Sequence, residues 1–130
     1  MSASQRVLVV DDDLLNQEVI SEFLAIGDYA IDLADDGQQA VEMVENNDYD
    51  LVLMDIMMPT MDGVVATRAI RALPDAAKNS VRVIAVTAKN ARDNAHVWKR
   101  SGFNSYIIKP FSEDELWHII ASEDRFKTRS

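Results

Sequence analysis

Apolar residues fall in short blocks along this chain, and the blocks alternate with stretches of helical spacing. Arg6 to Val10 is a continuous, mostly β-branched run, the pattern of a strand buried on both faces. From Leu14 to Ile26 the helically spaced apolar residues include those at 15, 19, 20, 23, 24 and 26. That spacing predicts an amphipathic helix, with Asp13 as its N-cap and Gly27 as its stop. The alternation then repeats. Strands are predicted at Ala30–Ala34, Leu51–Met54, Val81–Val86 and Ser105–Ile108. Between and after them come helices at Gln38–Glu45, with Ala40, Val41 and Val44 on one face, and at Gly63–Leu73, capped by Asp62. A fourth helix runs over Ala91–Arg100, closed by Gly102, and a fifth from Ser112 to about Ala121, where Ser112 and Glu115 form a capping box.

Five βα units of this kind predict an α/β fold: a parallel sheet joined by right-handed crossovers, with helices on both faces. At 130 residues the chain is expected to be one domain, spanning residues 1–130, with a core over about 6–122. It has no cysteine, which removes disulfides, thiolate metal sites and thiol nucleophiles. Its formal net charge of −9 disfavours nucleic acid and anionic lipid as partners. No apolar run approaches the roughly 18–20 residues of a membrane span, so a cytoplasmic location is expected.

Sheets of this class bind ligands beyond the carboxyl ends of their strands, and the chemistry collects there. The first strand ends in Asp11-Asp12-Asp13, the third in Asp55, the fourth in Thr87-Ala88 and the fifth in Lys109-Pro110. Taken singly each has an ordinary reading: a solvated turn and a helix cap, a turn aspartate, a strand-end threonine, a surface lysine. Placed together they describe a phosphoryl site. Clustered carboxylates repel one another unless a cation offsets them. Mg²⁺ suits oxygen ligands of this type. A carboxylate can itself attack phosphorus, and an ammonium and a hydroxyl would neutralise and orient the transferring group.

The motifs Val9-Val10-Asp11-Asp12, Met54-Asp55-Ile56-Met57-Met58-Pro59-Thr60-Met61-Asp62-Gly63, Val86-Thr87-Ala88 and Lys109-Pro110-Phe111 resemble the receiver domain of bacterial response regulators over Arg6 to Ser122. The resemblance implies strand order 2-1-3-4-5. It implies Asp55 as phosphoacceptor, Asp12 as a direct Mg²⁺ ligand, Asp11 as an acid acting through metal-bound water, and Met57 as a backbone-carbonyl ligand. It further implies Thr87 as the switch hydroxyl, Tyr106 as an aromatic switch, Lys109 as the phosphoryl-pairing ammonium and a cis Lys109–Pro110 bond. The donor would be a phosphohistidine on a sensor histidine kinase or a histidine phosphotransfer protein. The output would be altered binding of a downstream protein through the fourth helix, fifth strand and fifth helix, as a monomer or a phosphorylation-dependent dimer.

The resemblance implies a signalling phosphoacceptor rather than an enzyme. A phosphatase with an aspartate nucleophile would carry a second acid where Met57 stands, and Asp11–Asp13 would repel a flavin phosphate. Apolar Met57 also cannot orient water, which predicts a long-lived aspartyl phosphate, with Lys89 as the other flanking residue. His96 and His118 are expected to be surface or half-buried filler. On the fifth helix, Leu116 and Ile120 are expected to face the core, leaving Trp117 or Ile119 near the rim. Only eight residues follow Ser122 (130 − 122), so a DNA-binding output domain is not expected. A stand-alone regulator is favoured over a receiver cut from a hybrid histidine kinase, which would serve as a phosphorelay intermediate or phosphate sink.

Overall fold

The structure is a computed structural model that describes residues 5–27, 29–56, 62–87 and 95–122. Its strands are β1 (Gln5–Val10), β2 (Tyr29–Ala34), β3 (Leu51–Asp55), β4 (Arg82–Thr87) and β5 (Ser105–Ile108). Its helices are α1 (Leu14–Leu24), α2 (Gly37–Asn46), α3 (Gly63–Arg71), the single turn α4 (Ala76–Asn79), α5 (Ala95–Ser101) and α6 (Glu113–Ala121). The strands form one parallel five-stranded sheet in the order β2-β1-β3-β4-β5, as expected.

The pleat sends alternate side chains of each central strand to opposite faces, and each face has its own helices. Val7, Val9, Leu51, Leu53, Ile84 and Val86 pack with Ile20 and Leu24 of α1 and Leu116 and Ile119 of α6. Leu8, Val10, Val52, Met54, Val83 and Ala85 pack with Ala40 and Val44 of α2, Ala66 and Ile70 of α3, and Trp98 of α5. Burial on both faces is why these strands read as unbroken apolar runs rather than as an alternating pattern.

Helix ends follow local chemistry. Asp13, Asp36, Asp62 and Asp75 each cap a helix by accepting a backbone N–H, and Ser112 with Glu115 makes the predicted capping box. Gly102 adopts φ 101° and closes α5. There the Phe103 N–H reaches the Trp98 carbonyl and the Gly102 N–H that of Lys99, a Schellman arrangement that needs a residue without Cβ. The predicted start of that helix at Ala91 lies outside the described residues.

Three expectations are corrected. First, α1 stops at Leu24. Its apolar residues do not share one face, because Ile20 and Leu24 are buried while Leu14, Leu15, Val19 and Ile26 are exposed. Second, on α6 the core positions are Leu116 and Ile119, whereas Ile120 and Trp117 are half-buried. Trp117 packs on Tyr29 with ring centroids 5.5 Å apart. The helix is rotated from the expected setting, so that an i, i+3 pair rather than an i, i+4 pair faces the sheet. Third, α4 was not expected. Four residues are too few to show a hydrophobic period.

Candidate functional site at the carboxyl end of the sheet

The chain leaves β1 outward to β2 and returns on the other side of β1 to β3, so the strand order reverses between β1 and β3. Register aligns their ends: Val10 pairs with Met54, Asp55 with Val86 and Thr87 with Ile108. The residues following each strand therefore project into one crevice.

Asp11 is 1% exposed and held at several atoms. Its N–H donates to the Ala34 carbonyl at 3.1 Å, and its Oδ1 accepts the Asp13 N–H at 2.9 Å. Its Oδ2 is buried with no hydrogen-bond partner. Asp12 is exposed, and Asp55 is buried at the end of β3. One oxygen from each of Asp11, Asp12 and Asp55 lies within 4.8 Å of the others. The Lys109 ammonium stands 3.3 Å from Asp55 Oδ1 and 3.7 Å from Asp11 Oδ2. Lys109 is carried there by its N–H, which donates to the Thr87 carbonyl at 2.7 Å, and its bond to Pro110 is cis.

Gly63 allows α3 to close on this strand end. A Cβ at that position would collide with the Asp55 carbonyl oxygen, while the Gly63 N–H donates to the Ile56 carbonyl at 3.0 Å. Thr87 is buried at the end of β4. Tyr106 of β5 is 7% exposed, and its ring packs on Trp98 of α5 at 5.5 Å. Met57 and Lys89 lie outside the described residues. His96 and His118 are exposed, and neither belongs to the group of converging ligand atoms.

Three carboxylates and one ammonium sum to −2 (−3 + 1). A divalent cation would balance that charge, and Asp11 Oδ2, buried with no hydrogen-bond donor and only the Lys109 ammonium at 3.7 Å, has room for it as a ligand. The donor set is all oxygen, as Mg²⁺ prefers. Beside the acids, Val19, Ile20, Phe23, Pro110 and Phe111 line an apolar pocket of about 510 Å³ that reaches Asp11 and Lys109.

Sequence reasoning missed Gln17, which is buried with its amide on the Asp11 carbonyl. The signal was present, since 17, 20 and 24 form one helical row, but a polar residue in that row reads as solvated. It also missed Arg71, which binds the carbonyls of Asn79, Val81 and Gly102 and the Asn104 side chain and so fastens α3 to the start of β4 and the end of α5.

Sheet order 2-1-3-4-5 with an acidic crevice at the switch point defines a flavodoxin-like fold of the α/β class. The chain matches the response regulator receiver domain over residues 7–121 and belongs to that family. It is 33% identical over 111 residues to response regulator MprA of Mycobacterium sp. (strain KMS), a match covering 85% of this chain and 46% of that protein. It is 33% identical over 124 residues to hybrid signal transduction histidine kinase I of Dictyostelium discoideum, covering 92% of this chain and 7% of that one. The chain thus spans less than half the length of these relatives. Among solved structures, it is similar to the receiver domain of sensor histidine kinase PA1611 from Pseudomonas aeruginosa PAO1. The TM-score is 0.81 with 39% identity, over 91% of this chain and 95% of that one. That structure has a magnesium ion coordinated in its active site cleft.

Proposed function

We propose that Asp55 accepts a phosphoryl group from a phosphohistidine on a sensor histidine kinase or histidine phosphotransfer protein, and that this changes the protein's affinity for a downstream partner. The observation that carries the proposal is the convergence of the Asp11, Asp12 and Asp55 oxygens within 4.8 Å, with the Lys109 ammonium 3.3 Å from Asp55. An Asp55 carboxylate oxygen forms the new O–P bond while the N–P bond of the donor breaks. The imidazole leaves with that electron pair and takes a proton from solvent. Lys109 pairs with the phosphoryl oxygens, and the Thr87 hydroxyl donates to one of them. Asp11, Asp12, Asp55 and the Met57 carbonyl would hold Mg²⁺, which when bound offsets the carboxylates and the incoming phosphoryl charge.

The donor must cover the rim of the crevice. Exposed Val19, on the wall of the apolar pocket that reaches Asp11 and Lys109, offers it an apolar contact continuous with the site. No helix among the described residues is long and apolar enough to cross a membrane, and we take the site of action to be the cytoplasm. Incubation with acetyl phosphate and Mg²⁺ tests the assignment by intact mass. One phosphate-sized gain, lost in Asp55→Asn, is the expected result, and a gain that survives Asp55→Asn refutes it.

A second reading is a receiver that works as a phosphorelay intermediate or phosphate sink of a hybrid histidine kinase. The similarity to the receiver of a sensor histidine kinase and to a hybrid kinase favours it. It requires that the phosphoryl group pass from Asp55 to a histidine phosphotransfer protein. Appearance of label on such a protein supports this reading, and its absence across a panel leaves the binding switch.

A further inference from the structure

Glutamine on the outer layer of an α/β fold is mostly solvated, yet Gln17 of α1 is 3% exposed. Its Nε2 lies 2.6 Å from the Asp11 carbonyl oxygen, 2.9 Å from Asp35 Oδ1 and 3.3 Å from the Ala34 carbonyl oxygen. A primary amide has two hydrogens to donate, and the two shorter contacts claim them. Asp35 is in turn held by α2, since its N–H donates to Gln39 Oε1 at 2.6 Å. One neutral side chain therefore ties the end of β1 to the end of β2 and, through Asp35, to α2.

The carbonyl that Gln17 grips belongs to the peptide joining Asp11 to Asp12. That peptide is planar, so fixing its oxygen fixes the plane from which the Asp12 Cα starts. With the Asp11 N–H on Ala34 and Oδ1 on the Asp13 N–H, the Gln17 contact completes the restraint of this turn. The Asp11 Oδ2 atom, with no hydrogen-bond partner, is left for the crevice. An apolar residue at position 17 would pack as well beside Ile20 and Leu24 but would leave the carbonyl unrestrained.

We infer that Gln17 is a positioning residue for the divalent cation, clamping the Asp11–Asp12 peptide so that both carboxylates stand in register with Asp55. The inference rests on reading this crevice as a Mg²⁺ site. It is tested on the full chain by following backbone amide shifts while Mg²⁺ is added to the wild type and to Gln17→Met. The expected result is a Mg²⁺ Kd raised about ten-fold, the low end for loss of a group that orients a metal ligand, with the same end-point shifts at saturation. A purely structural role would lower the melting temperature and leave the Kd of the folded protein alone.

Where Gln17→Met does not fold, Asp35→Ala removes only the far anchor and is expected to raise the Mg²⁺ Kd by less than the about ten-fold of Gln17→Met, because the Asp11 carbonyl contact remains. A Kd within about 1.5-fold of wild type in the folded variant tested overturns the inference, because orienting groups of this kind act through affinity. A readout independent of variants is the Gln17 side-chain amide. Its protons should exchange slowly with solvent and shift on Mg²⁺ addition. Exchange as fast as that of exposed Gln38, with no shift, overturns it. A wild type that binds no Mg²⁺ overturns both this inference and the proposed metal, whereas a wild type that binds while the variants match it overturns this inference alone.

Discussion

Asp12 and Asp13 are neighbours in sequence with separate duties in the structure. Asp12 contributes an oxygen to the carboxylate cluster, while Asp13 accepts the Leu15 N–H and caps α1. Asp13→Ala is expected to cost about 0.5–2 kcal/mol of stability and to leave Mg²⁺-dependent labelling by acetyl phosphate intact. Asp12→Ala is expected to abolish that labelling at ordinary Mg²⁺ with little loss of stability. Urea melts and intact mass on both variants check this, and the opposite pattern would place the site one residue out of register. At this scale the acids, Thr87 and Lys109 were legible because each directly follows a predicted strand. Gln17 was not, because its value comes from Ala34 and Asp35, which are 17 and 18 residues away in sequence.

Helices α1 and α6 show how far a hydrophobic period can carry. On α1 the buried row is Gln17, Ile20 and Leu24, while exposed Leu15 and Val19 lie on the opposite side of the helix and exposed Ile26 falls beyond its end. Apolar residues on two sides blur the periodic signal that marks a core face. On α6 the structure expects a large cost for Ile119→Ala, about 2–5 kcal/mol, and a smaller one for Ile120→Ala. Equal costs, or the reverse order in urea melts, would restore the rotation that sequence spacing predicts. Between elements, the Asp32 carboxylate accepts the Tyr49 hydroxyl at 2.7 Å and the Arg6 guanidinium at 2.8 Å, joining β1, β2 and the turn before β3. The Tyr49 hydrogen bond, the largest single cause, and the Arg6 guanidinium draw the Asp32 carboxyl below the ordinary carboxylate range. Burial, the largest single cause, and the Asp32 carboxylate push the Tyr49 hydroxyl well above the ordinary phenol range. The Asp32 contribution is present above about pH 4 and is lost as pH falls through the lowered value. The Tyr49 contribution is present below about pH 10 and is lost as pH rises through the raised one. Tyr49→Phe is therefore expected to cost about 0.5–1.5 kcal/mol at neutral pH and to flatten the stability profile at both extremes. A profile parallel to wild type at both ends would show that this contact does not set it.

Across the whole molecule, the site and the face built from α5, β5 and α6 are linked through β4 and β5. Thr87 ends β4 and holds the Lys109 N–H, and Tyr106 of β5 packs on Trp98 of α5. A phosphoryl group on Asp55 that draws the Thr87 hydroxyl inward would change the space beside β4, and any turn of Tyr106 would change its contact with Trp98. The expected coupling to a bound partner is about 1–3 kcal/mol, or roughly 5–150-fold in affinity. Shift mapping with and without beryllofluoride, a phosphoryl mimic, should show changes at Tyr106, Trp98 and α5. Changes confined to the residues around Asp55 would mean that this protein does not signal through that face. The sequence alone determined the order of the five strands and of the helices other than the single turn α4, the two-sided burial of the sheet, the strand order through its family motifs, and which chemistry stands at the strand ends. These are encoded locally, by apolar period, by caps and by residues adjacent in the chain. Tertiary structure decided which side of α1 and α6 meets the sheet, that Lys109 lies between Asp55 and Asp11, and that Gln17 turns inward to the Asp11 carbonyl. Those outcomes depend on groups brought together from distant parts of the chain, where the surrounding packing sets the distances and the unmet hydrogen bonds set the partners.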